Sequence, residues 1–449
     1  MIEQEITSKL EEAGFEVYIV GGAVRDFILG EIPKDYDFAT NAKPNEVIRI
    51  FNDKKICVVG KSFKVVLVND VEIATYRKDL QEVMFNPKHC KPEYAKNITE
   101  DLERRDLTIN AMAIQVHKTL LNERVILDLH GGINDLNNGV IRLVGDPYTR
   151  LNQDPCRILR ACRFLAKIEG TFEAETFKAL QDCAHYIKSY VEPERIRIEI
   201  LKAMELKVPS LFFSALHLIG GLKYIFPELD KCFQHDHGKY HKENIGEHCM
   251  HAGDVVSSRF PLLRLAAFLH DVGKPKAFKK QGDGSFICHE LYGEKIVIER
   301  LQNLKFSNKE VATIANLVGS HMLQCRSLKA KGIRRLHKKL ADKKVDSRSF
   351  IRLKLADRSS NMAKDASRFT PIKELIVNAG IRGYKEEIPF TVKELTISGG
   401  ELIDYFNLIP GPIVGNLQKY LLNYVIEMGE EFNTRDILLK EAKLILKTI

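Results

Sequence analysis

The chain has 449 residues, 45% of them hydrophobic and 29% charged, a composition that excludes a disordered protein. Lys and Arg (68) outnumber Asp and Glu (60), which fits a polyanionic partner and equally a solvated basic surface. No apolar stretch approaches the ~20 residues of a membrane helix, no secretory pattern is present, and nine scattered cysteines lack CxxC spacing. We therefore expect a cytoplasmic protein without membrane contact.

The first part of the chain alternates between strand and helix patterns. A β-rich run, EVYIV, ends at a Gly-Gly pair and precedes AVRDFIL, a short helix that Gly30 would end. DYDFAT is expected to form a second strand, and KPNEVIRIF a helix that begins near Pro44. ICVVG, KVVLV and VEIATYR are further strands, the last two joined by a hairpin turn at Asn69 and Asp70. These elements predict a small mixed α/β domain over residues 1–125.

From about Arg150 onward, apolar residues recur at helical spacing, as in PCRILRACRFLAKI and PERIRIEILKAMEL. A histidine-rich stretch follows, and helical patterns continue beyond it, interrupted by ISGGELIDYFNLIPGPIVGN. We expect a helical neck over residues 126–235, a histidine-rich helical domain over 236–365 and a helical tail over 366–449.

The stretch IVGGAVRDFILGEIPKDYDFAT places a glycine pair close to two aspartates. If Asp35 and Asp37 lie in one strand, their carboxylates point to the same face, and carboxylates suit Mg²⁺. Gly21 and Gly22 stand where a strand meets a helix, so free N–H groups there can hold a triphosphate. Together these features favour two-metal nucleotidyl transfer, although each alone is common in solvated turns. Glu72 is either a third carboxylate or an exposed strand residue.

Four further blocks follow in order: EDLERRDLTINAMA (100–113), LHGGINDL (129–136), LVGDPYTRLNQDPCRILRACRF (143–164) and EPERIRIEIL (192–201). With GGAVRD and DYDFAT, this series closely resembles the bacterial-type (class II) tRNA nucleotidyltransferases. These are CCA-adding enzymes, related to bacterial poly(A) polymerases within the DNA polymerase β-like superfamily. The resemblance covers essentially the whole chain. It implies an α/β nucleotidyltransferase head with a small mixed sheet, followed by a mostly α-helical body that includes an HD domain and a helical RNA-binding tail.

The resemblance also implies roles for individual residues. The expected site has a catalytic, Mg²⁺-binding pair (Asp35, Asp37), a phosphate-binding turn (Gly21, Gly22, Arg25), a block for sugar and phosphates (Arg104, Arg105, Asp106, Asn110) and a base-reading pair (Asp154, Arg157). Arg160 and Arg163 follow at helical spacing. They either reach phosphates or form a solvated basic face, and we include them in the expected nucleotide-binding set.

The chemistry of Asp154 and Arg157 fits a choice of base without a template. Three residues apart on an expected helix, they share a face. A carboxylate accepts from an exocyclic amino group, and a guanidinium donates to ring acceptors. Cytosine and adenine offer both groups, whereas uracil and guanine present a carbonyl where Asp154 needs a donor. Without the flanking blocks, a surface salt bridge would be the simpler interpretation.

Two features bear on the product. Gln153 stands where the family has Glu, and it keeps hydrogen-bonding capacity but loses the charge that can fix a neighbouring Arg. The segment 78–103 matches the family's flexible loop at about full length, whereas a shortened loop resembles enzymes that add only CC. A CC-only product is therefore not expected.

The second half contains an ordered set of metal-ligand types: His248, His270, Asp271, His289, His321 and Asp357. The order resembles an HD domain, a helical metal-dependent phosphohydrolase module, in which Mn²⁺, Fe²⁺ or Ni²⁺ would activate water. Within the apolar run LRLAAFLHDVGKP, Asp271 must be paired or metal-bound, because an isolated buried charge is costly. Hydrogen-bonded core histidines are the simpler alternative, and the role of His251 is left open.

The tail carries four glycines between helical stretches: Gly399, Gly400, Gly411 and Gly415. Bare N–H groups at helix starts suit RNA phosphates, and ordinary helix punctuation by glycine explains the same pattern.

The function expected from these features is template-independent addition of CCA to tRNA 3′ ends from CTP and ATP, with an additional HD phosphohydrolase activity. An enzyme that adds only A and a poly(A) polymerase are alternatives within the same chemistry. An RNA-binding HD phosphohydrolase with an inactive head is a third alternative, against which the intact Asp35 and Asp37 argue. The sequence leaves the oligomeric state open.

Overall fold

The structure is a computed structural model that describes residues 2–33, 35–59, 65–78, 93–115, 125–236, 242–281, 285–325, 328, 330–362 and 388–447. The chain divides into two compact units, Met1–Pro227 and Glu228–Ile449. This division lies a few residues before 235, where the neck was expected to end. Among the described residues, no helix is both long and apolar enough to cross a membrane.

The first unit is built on a seven-stranded mixed sheet. Its strands are β1 (Val17–Val20), β2 (Asp37–Thr40), β3 (Ile56–Val59), β4 (Val65–Val68), β5 (Val71–Thr75), β8 (Met112–Gln115) and β9 (Val125–Asp128); two further strands, β6 (Arg77–Lys78) and β7 (Glu93–Tyr94), form a separate ladder. The strand order is β3-β4-β5-β2-β1-β8-β9. The pair β2–β5 is parallel and the other neighbours are antiparallel. Because β9 belongs to this sheet, the head extends beyond its expected end at residue 125.

The register of the sheet brings the glycine turn and the acidic residues together. β1 ends at Val20, directly before Gly21, and Val20 pairs with Asp37 at the start of β2. In the parallel pair, Asp37 lies opposite Glu72. The two carboxylates and the turn therefore share one edge of the sheet.

The hairpin between β4 and β5 turns at Asn69 and Asp70, whose φ values are +49° and +68°. Two left-handed residues in succession match the twist of a two-residue hairpin, and Asn and Asp tolerate this conformation. The predicted hairpin is confirmed.

Three N-terminal helices pack against the sheet, and further helices form the neck. They are α1 (Ile2–Glu12), α2 (Gly22–Ile28), α3 (Pro44–Ile50), α4 (Ile98–Glu103), α5 (Gly132–Asn137), α6 (Pro147–Gln153), α7 (Arg157–Ile168), α8 (Ala174–Cys183), α9 (Tyr186–Tyr190), α10 (Pro193–Met204), α11 (Ser210–Leu218) and α12 (Leu222–Ile225). α1 and α3 bury Ile6, Leu10 and Val47 in one core with Phe38 and Ile73 of the sheet. Each such side chain contributes about 1.5–3 kcal/mol. The neck also contains two short parallel strands, β10 (Val140–Ile141) and β11 (Thr171–Phe172).

The second unit is mainly helical. Its helices are α13 (Pro227–Cys232), α14 (Ile245–Val255), α15 (Pro261–Leu269), α16 (Lys274–Gln281), α17 (His289–Asn303), α18 (Asn308–Val318), α19 (Ala330–Asp342), α20 (Ser347–Ser359), α21 (Gly399–Phe406), α22 (Pro412–Met428) and α23 (Arg435–Leu446). The first residue of α13, Pro227, is the last residue of the first unit. α14, α15, α17, α18 and α20 pack on one another. The tail helices share a core that includes Leu402, Leu421 and Leu438. A mixed-sheet head and a mostly helical body confirm the predicted fold class.

Candidate active site and metal centre

The first unit contains a cavity of about 470 Å³ with a mostly polar lining. Nine basic and four acidic side chains line it: Arg25, Arg77, Arg104, Arg105, Arg157, Arg160, Arg163, Lys167, Lys202, Asp37, Glu72, Asp106 and Asp154. Gly21, Gly22 and Asn110 complete much of the remaining wall. The structure thus gathers in one place most of the nucleotide-site residues expected from four separate sequence blocks. The basic excess suits a polyanionic ligand such as a triphosphate.

Asp35 and Asp37 do not share a strand, and that prediction is wrong. β2 begins at Asp37, whereas Asp35 lies in a bend before it and is exposed. Burial raises the pKa of Asp37, the charge of Asp35 raises it further, and Arg105 opposes the rise. Glu72 is an exposed residue of β5 that lines the cavity, where partial desolvation and the charge of Asp37 raise its pKa. The three carboxylates therefore form an electrostatically coupled group that a divalent cation would neutralise.

Gly21 has φ +71°, a conformation that disfavours other residues. A Cβ there would lie 3.5 Å from both Nη1 of Arg105 and Oδ2 of Asp37. At Gly22 a Cβ would meet Nη2 of Arg25 at 3.4 Å. The bare backbone thus leaves open the space between a carboxylate and two guanidinium groups.

Arg25 is buried, and its guanidinium is fixed on several sides. Nη1 donates to Oδ1 of Asn110 at 2.8 Å, and Nη2 donates to Oδ1 of Asp26 at 2.8 Å. The guanidinium also lies 5.2 Å from the ring centre of Phe164. Lys167 contacts the same Asp26 oxygen at 3.2 Å. Asp26 and Phe164 are site residues that the sequence analysis did not single out.

Arg104 and Arg105 are both held by one buried carboxylate, Asp101. Oδ1 of Asp101 accepts from Nε and Nη2 of Arg104 at 3.0 and 2.9 Å. Oδ2 accepts from Nη2 of Arg105 at 3.1 Å. Asp101 lies in the block EDLERRD, but nothing in its spacing distinguishes it from its acidic neighbours.

Asp106 and Asn110 are buried and form hydrogen bonds with other residues of the site. Oδ2 of Asp106 accepts from Nε of Arg160 at 2.6 Å, and Oδ1 accepts from Nδ2 of Asn110 at 3.2 Å. Burial alone would raise the pKa of Asp106, but the charge and hydrogen bond of Arg160 hold it well below the usual range. Arg160 therefore anchors α7 to the head rather than forming a solvated basic face.

Arg163 is also paired. Its Nε donates to Oε2 of the buried Glu199 at 2.5 Å, and its guanidinium lies 4.3 Å from the Phe164 ring centre. Glu199 additionally lies 3.9 Å from Nη1 of Arg160. This carboxylate on α10 was missed from the sequence because its partners lie more than thirty residues away on α7.

Asp154 does not lie on a helix with Arg157, so the expected shared helical face is wrong. α6 ends at Gln153, Asp154 has extended φ and ψ of −147° and 96°, and α7 begins at Arg157. Asp154 precedes Pro155, a position that disfavours helix. Its carboxylate accepts two hydrogen bonds from Arg195, from Nη1 at 2.8 Å and Nη2 at 2.7 Å.

Arg157 is oriented by backbone and amide oxygens. Nη2 donates to the carbonyl of Arg104 at 2.9 Å, and Nη1 donates to the carbonyl of Arg150 at 3.1 Å. Nη1 also donates to Oε1 of Gln153 at 3.2 Å, and this oxygen accepts from Nη1 of Arg150 at 3.0 Å. Gln153 thus retains the contact to the neighbouring Arg that the loss of charge put in question. Of the loop 78–103, residues 79–92 lie outside the described residues.

The second unit brings together all six expected metal ligands, which come from α14, the turn after α15, the start of α17, the turn after α18, and α20. Nε2 of each histidine faces a carboxylate oxygen of Asp271, at 3.1 Å for His289, 3.3 Å for His270, 3.6 Å for His321 and 3.8 Å for His248. Oδ1 of Asp357 lies 3.4 Å from Nε2 of His248. His251 is exposed on α14.

Backbone carbonyls fix three of these rings. The Nδ1 atoms of His270, His289 and His321 lie 2.8, 2.8 and 2.7 Å from the carbonyl oxygens of Ala267, Phe286 and Val318. A carbonyl only accepts, so Nδ1 carries the hydrogen, and Nε2 is the atom that each ring, when neutral, would offer to a metal. Burial lowers the pKa of His321, which favours the neutral ring that a metal requires.

His248 is fixed differently. Its Nδ1 lies 3.2 Å from Oε1 of the buried Glu243 and 3.3 Å from Oγ of Ser360. Oε2 of Glu243 accepts from the backbone N–H of Met362 at 3.2 Å. Glu243 therefore joins a ligand histidine to the residues that follow α20, a link that no sequence spacing indicates.

The donor set fits a divalent ion. Two groups share Asp271: one contains His248 and His270, the other His289 and His321, and the ligand atoms of each group lie within 4.8 Å of one another. Imidazole nitrogen and carboxylate oxygen suit first-row divalent metals. Nζ of Lys274 lies 2.6 Å from Oδ2 of Asp271, so an ammonium group pairs with this carboxylate.

The tail glycines lie at the starts of α21 and α22, and α21 has a side-chain cap whereas α22 has none. Gly399 begins α21, and the side chain of Ser398 accepts from the N–H of Glu401 at 3.2 Å. Gly411 precedes Pro412, the first residue of α22. This geometry favours helix punctuation at α21.

Comparison with known proteins matches three family models along the chain. They are the Poly A polymerase head domain over residues 17–142, the probable RNA and SrmB-binding site of polymerase A over 171–233, and the HD domain over 235–362. An A-adding tRNA nucleotidyltransferase of Deinococcus radiodurans is 30% identical over 90% of both chains. The chain belongs to the tRNA nucleotidyltransferase and poly(A) polymerase family. The resemblance read from the sequence blocks is confirmed.

Two further members of this family align over nearly the full length. A CCA-adding enzyme of Ligilactobacillus salivarius is 28% identical over 98% of this chain and 96% of its own. The crystal structure of the Bacillus stearothermophilus CCA-adding enzyme in complex with CTP superimposes with a TM-score of 0.67 at 20% identity, covering 100% of this chain and 98% of the other. This tRNA nucleotidyltransferase family and the HD family act with divalent metals, so divalent-metal dependence follows for this member.

Proposed function

We propose that this protein adds CCA to the 3′ ends of tRNA, using CTP and ATP and Mg²⁺. One observation carries the proposal: a single cavity holds Asp37, the Gly21 turn and the base-reading residues Asp154 and Arg157. The full-length match to a CCA-adding enzyme supports it. The cysteine pattern supports a cytoplasmic location as part of the same proposal.

Mg²⁺ held by Asp35 and Asp37 would polarise the attacking 3′ hydroxyl and the α-phosphate and steady the leaving pyrophosphate. Asp37 is placed for this by the end of β2, opposite Glu72 on β5. The triphosphate would lie over Gly21, where the missing side chain leaves room beside Arg105. Arg105 would then balance phosphate charge that develops during transfer.

The base would face Asp154 and Arg157. Each carboxylate oxygen of Asp154 already accepts from Arg195, and its remaining lone pairs suit the exocyclic amino group of cytosine or adenine. Arg157 would donate to the ring acceptors. Arg195 orients the Asp154 carboxylate, so a base with a carbonyl at that position would meet an unmatched acceptor.

The experiment uses purified protein, a tRNA that lacks its terminal CCA, labelled CTP and ATP, and Mg²⁺. We expect wild type to extend the RNA and Asp37→Ala to remain folded but inactive. Extension by Asp37→Ala at a rate near that of wild type would overturn the site assignment. Asp70→Asn is the matched control, because Asp70 is an exposed turn residue of the same sheet.

The clustered ligands of the second unit favour a further activity, and we propose metal-dependent hydrolysis of phosphoesters there, with cyclic phosphates at RNA ends as a substrate class. Mn²⁺, Ni²⁺ or Fe²⁺ would suit the mixed imidazole and carboxylate donors. His270→Ala should abolish hydrolysis and leave nucleotide addition intact. If wild type hydrolyses no phosphoester with any of these ions or Mg²⁺, the centre is structural only.

A further inference from the structure

Asp101 occupies an unusual position for an acidic residue in a basic cavity wall. It is 2% exposed, and four N–H donors from three residues surround it. Arg104 and Arg105 supply three of them, and the fourth is the backbone N–H of Arg77 at 3.0 Å from Oδ1. The charges of Arg104 and Arg105 keep the pKa of Asp101 low although burial opposes this. The carboxylate is therefore ionised, and both of its oxygens accept hydrogen bonds from these residues.

Both arginines held by Asp101 line the cavity. Nη2 of Arg105 is bound to Asp101, and Nη1 lies beside the open space at Gly21. Nη1 also donates to the carbonyl of Asn110 at 3.4 Å. The guanidinium is thus fixed by one edge while its other edge faces the turn. A planar guanidinium held in this way loses little freedom when it binds phosphate oxygens.

We propose that Asp101 is a positioning residue that sets Arg104 and Arg105 for the triphosphate of the incoming nucleotide. The inference rests on the proposed nucleotidyl transfer and adds a residue with no direct contact to substrate. Because the triphosphate is common to CTP and ATP, Asp101 affects both nucleotides equally and leaves the choice between them unchanged.

Asp101 also connects Arg104 and Arg105 to the β6–β7 ladder through hydrogen bonds. Its Oδ1 accepts the N–H of Arg77, and Nε of Arg104 donates to the carbonyl of the same Arg77 at 3.0 Å. Arg77 begins β6, which pairs with β7 at Glu93 and Tyr94. The backbone at the start of β6 is therefore hydrogen-bonded to both Asp101 and Arg104.

The test compares Asp101→Asn with Glu103→Gln, which removes an exposed charge from the same helix, α4. Steady-state kinetics with CTP and ATP, and binding of inorganic tripolyphosphate by calorimetry, are measured alongside the melting temperature. We expect KM for both nucleotides and the Kd of tripolyphosphate to rise at least tenfold in Asp101→Asn, with the CTP-to-ATP preference retained. Glu103→Gln should match wild type.

A purely structural role would lower the active fraction, and hence kcat, without moving KM. An unchanged KM and tripolyphosphate Kd in Asp101→Asn therefore overturns the inference. If that variant does not fold, Asp101→Glu, which keeps the charge but displaces it by one methylene, must show the same rise in KM, and a wild-type KM there overturns it equally. If the proposed function itself were wrong, wild type and Glu103→Gln would add no nucleotide. That outcome differs from failure of this inference alone, in which both proteins are active and Asp101→Asn has the same KM as wild type.

Discussion

Both terminal nitrogens of Arg195 donate hydrogen bonds to the carboxylate of Asp154, at 2.8 and 2.7 Å, although the two residues are 41 positions apart in the sequence. This bidentate pair fixes a hydrogen-bond acceptor in the cavity wall, although Asp154 itself lies between two helices and not on one. The proposed choice of base would therefore depend on α10 as well as on the segment between α6 and α7.

Replacing Arg195 with Ala should impair base choice almost as much as replacing Asp154. Without its partner, Asp154 loses its fixed orientation, and the loss of one charged hydrogen-bonding partner costs about 1–3 kcal/mol, or roughly tenfold in discrimination. Misincorporation of UTP and GTP relative to CTP and ATP measures this. Lys207→Ala, at an exposed position just after α10, is the control. Unchanged discrimination in Arg195→Ala would show that Asp154 is oriented by other contacts.

Substitutions of Gln153 test base selection by smaller changes in the same cavity wall. Its Oε1 accepts from both Arg150 and Arg157, so Gln153→Glu turns two hydrogen bonds between a charged donor and a neutral acceptor into ion pairs. We expect UTP and GTP misincorporation to fall a few-fold in Gln153→Glu and to rise in Gln153→Ala, with the melting temperature nearly constant. Identical error rates in all three proteins would exclude Gln153 from base selection.

The environment of Asp37 predicts a specific pH dependence. Burial and Asp35 raise its pKa, so in the metal-free protein the folded state binds a proton more strongly than the unfolded chain does. Stability should therefore fall as the pH rises through the raised pKa. Mg²⁺ needs the ionised form, so its apparent affinity should weaken on acidification at a pH above that typical of an exposed aspartate.

The measurement combines Mg²⁺ titrations with unfolding of the metal-free protein between pH 4 and pH 8. Asp37→Asn should reduce the pH-dependent loss of stability, leaving the part due to Glu72. It should also reduce nucleotide addition by at least ~10³-fold, because metal stabilisation of the transition state amounts to several kcal/mol. A stability profile in Asp37→Asn that parallels wild type would contradict the assigned pKa.

Glu243 should control metal binding in the second unit. It holds His248 through Nδ1, and removal of such an outer partner typically lowers metal affinity about 10- to 100-fold. A Co²⁺ titration followed by absorbance should show this loss in Glu243→Gln, whereas Glu299→Gln, an exposed change on α17, should bind like wild type. Equal affinities in the two variants would assign Glu243 a purely structural role.

Local patterns predicted the head and the helical body. The resemblance of six sequence blocks to a known family supplied most of the expected site residues, and the glycine turn and the ordered histidines were also visible as local signals. The interruption of the helix between Asp154 and Arg157 was also predictable from the sequence, since Pro155 disfavours helix at the residue before it. Asp101, Arg195, Glu199 and Glu243 were not predicted as site residues. Each is a partner whose role depends on contacts made in the folded chain, three of them across distant segments, and those contacts have no spacing rule.

The most direct test of CCA addition follows the RNA end one nucleotide at a time. A tRNA that ends before its CCA is incubated with wild type and CTP alone, with ATP alone, or with both, and the products are sequenced. We predict two C residues with CTP alone and a complete CCA end with both. Addition of A but never C to this tRNA, together with addition of A to a tRNA that already ends in CC, would contradict CCA addition and identify an A-specific enzyme.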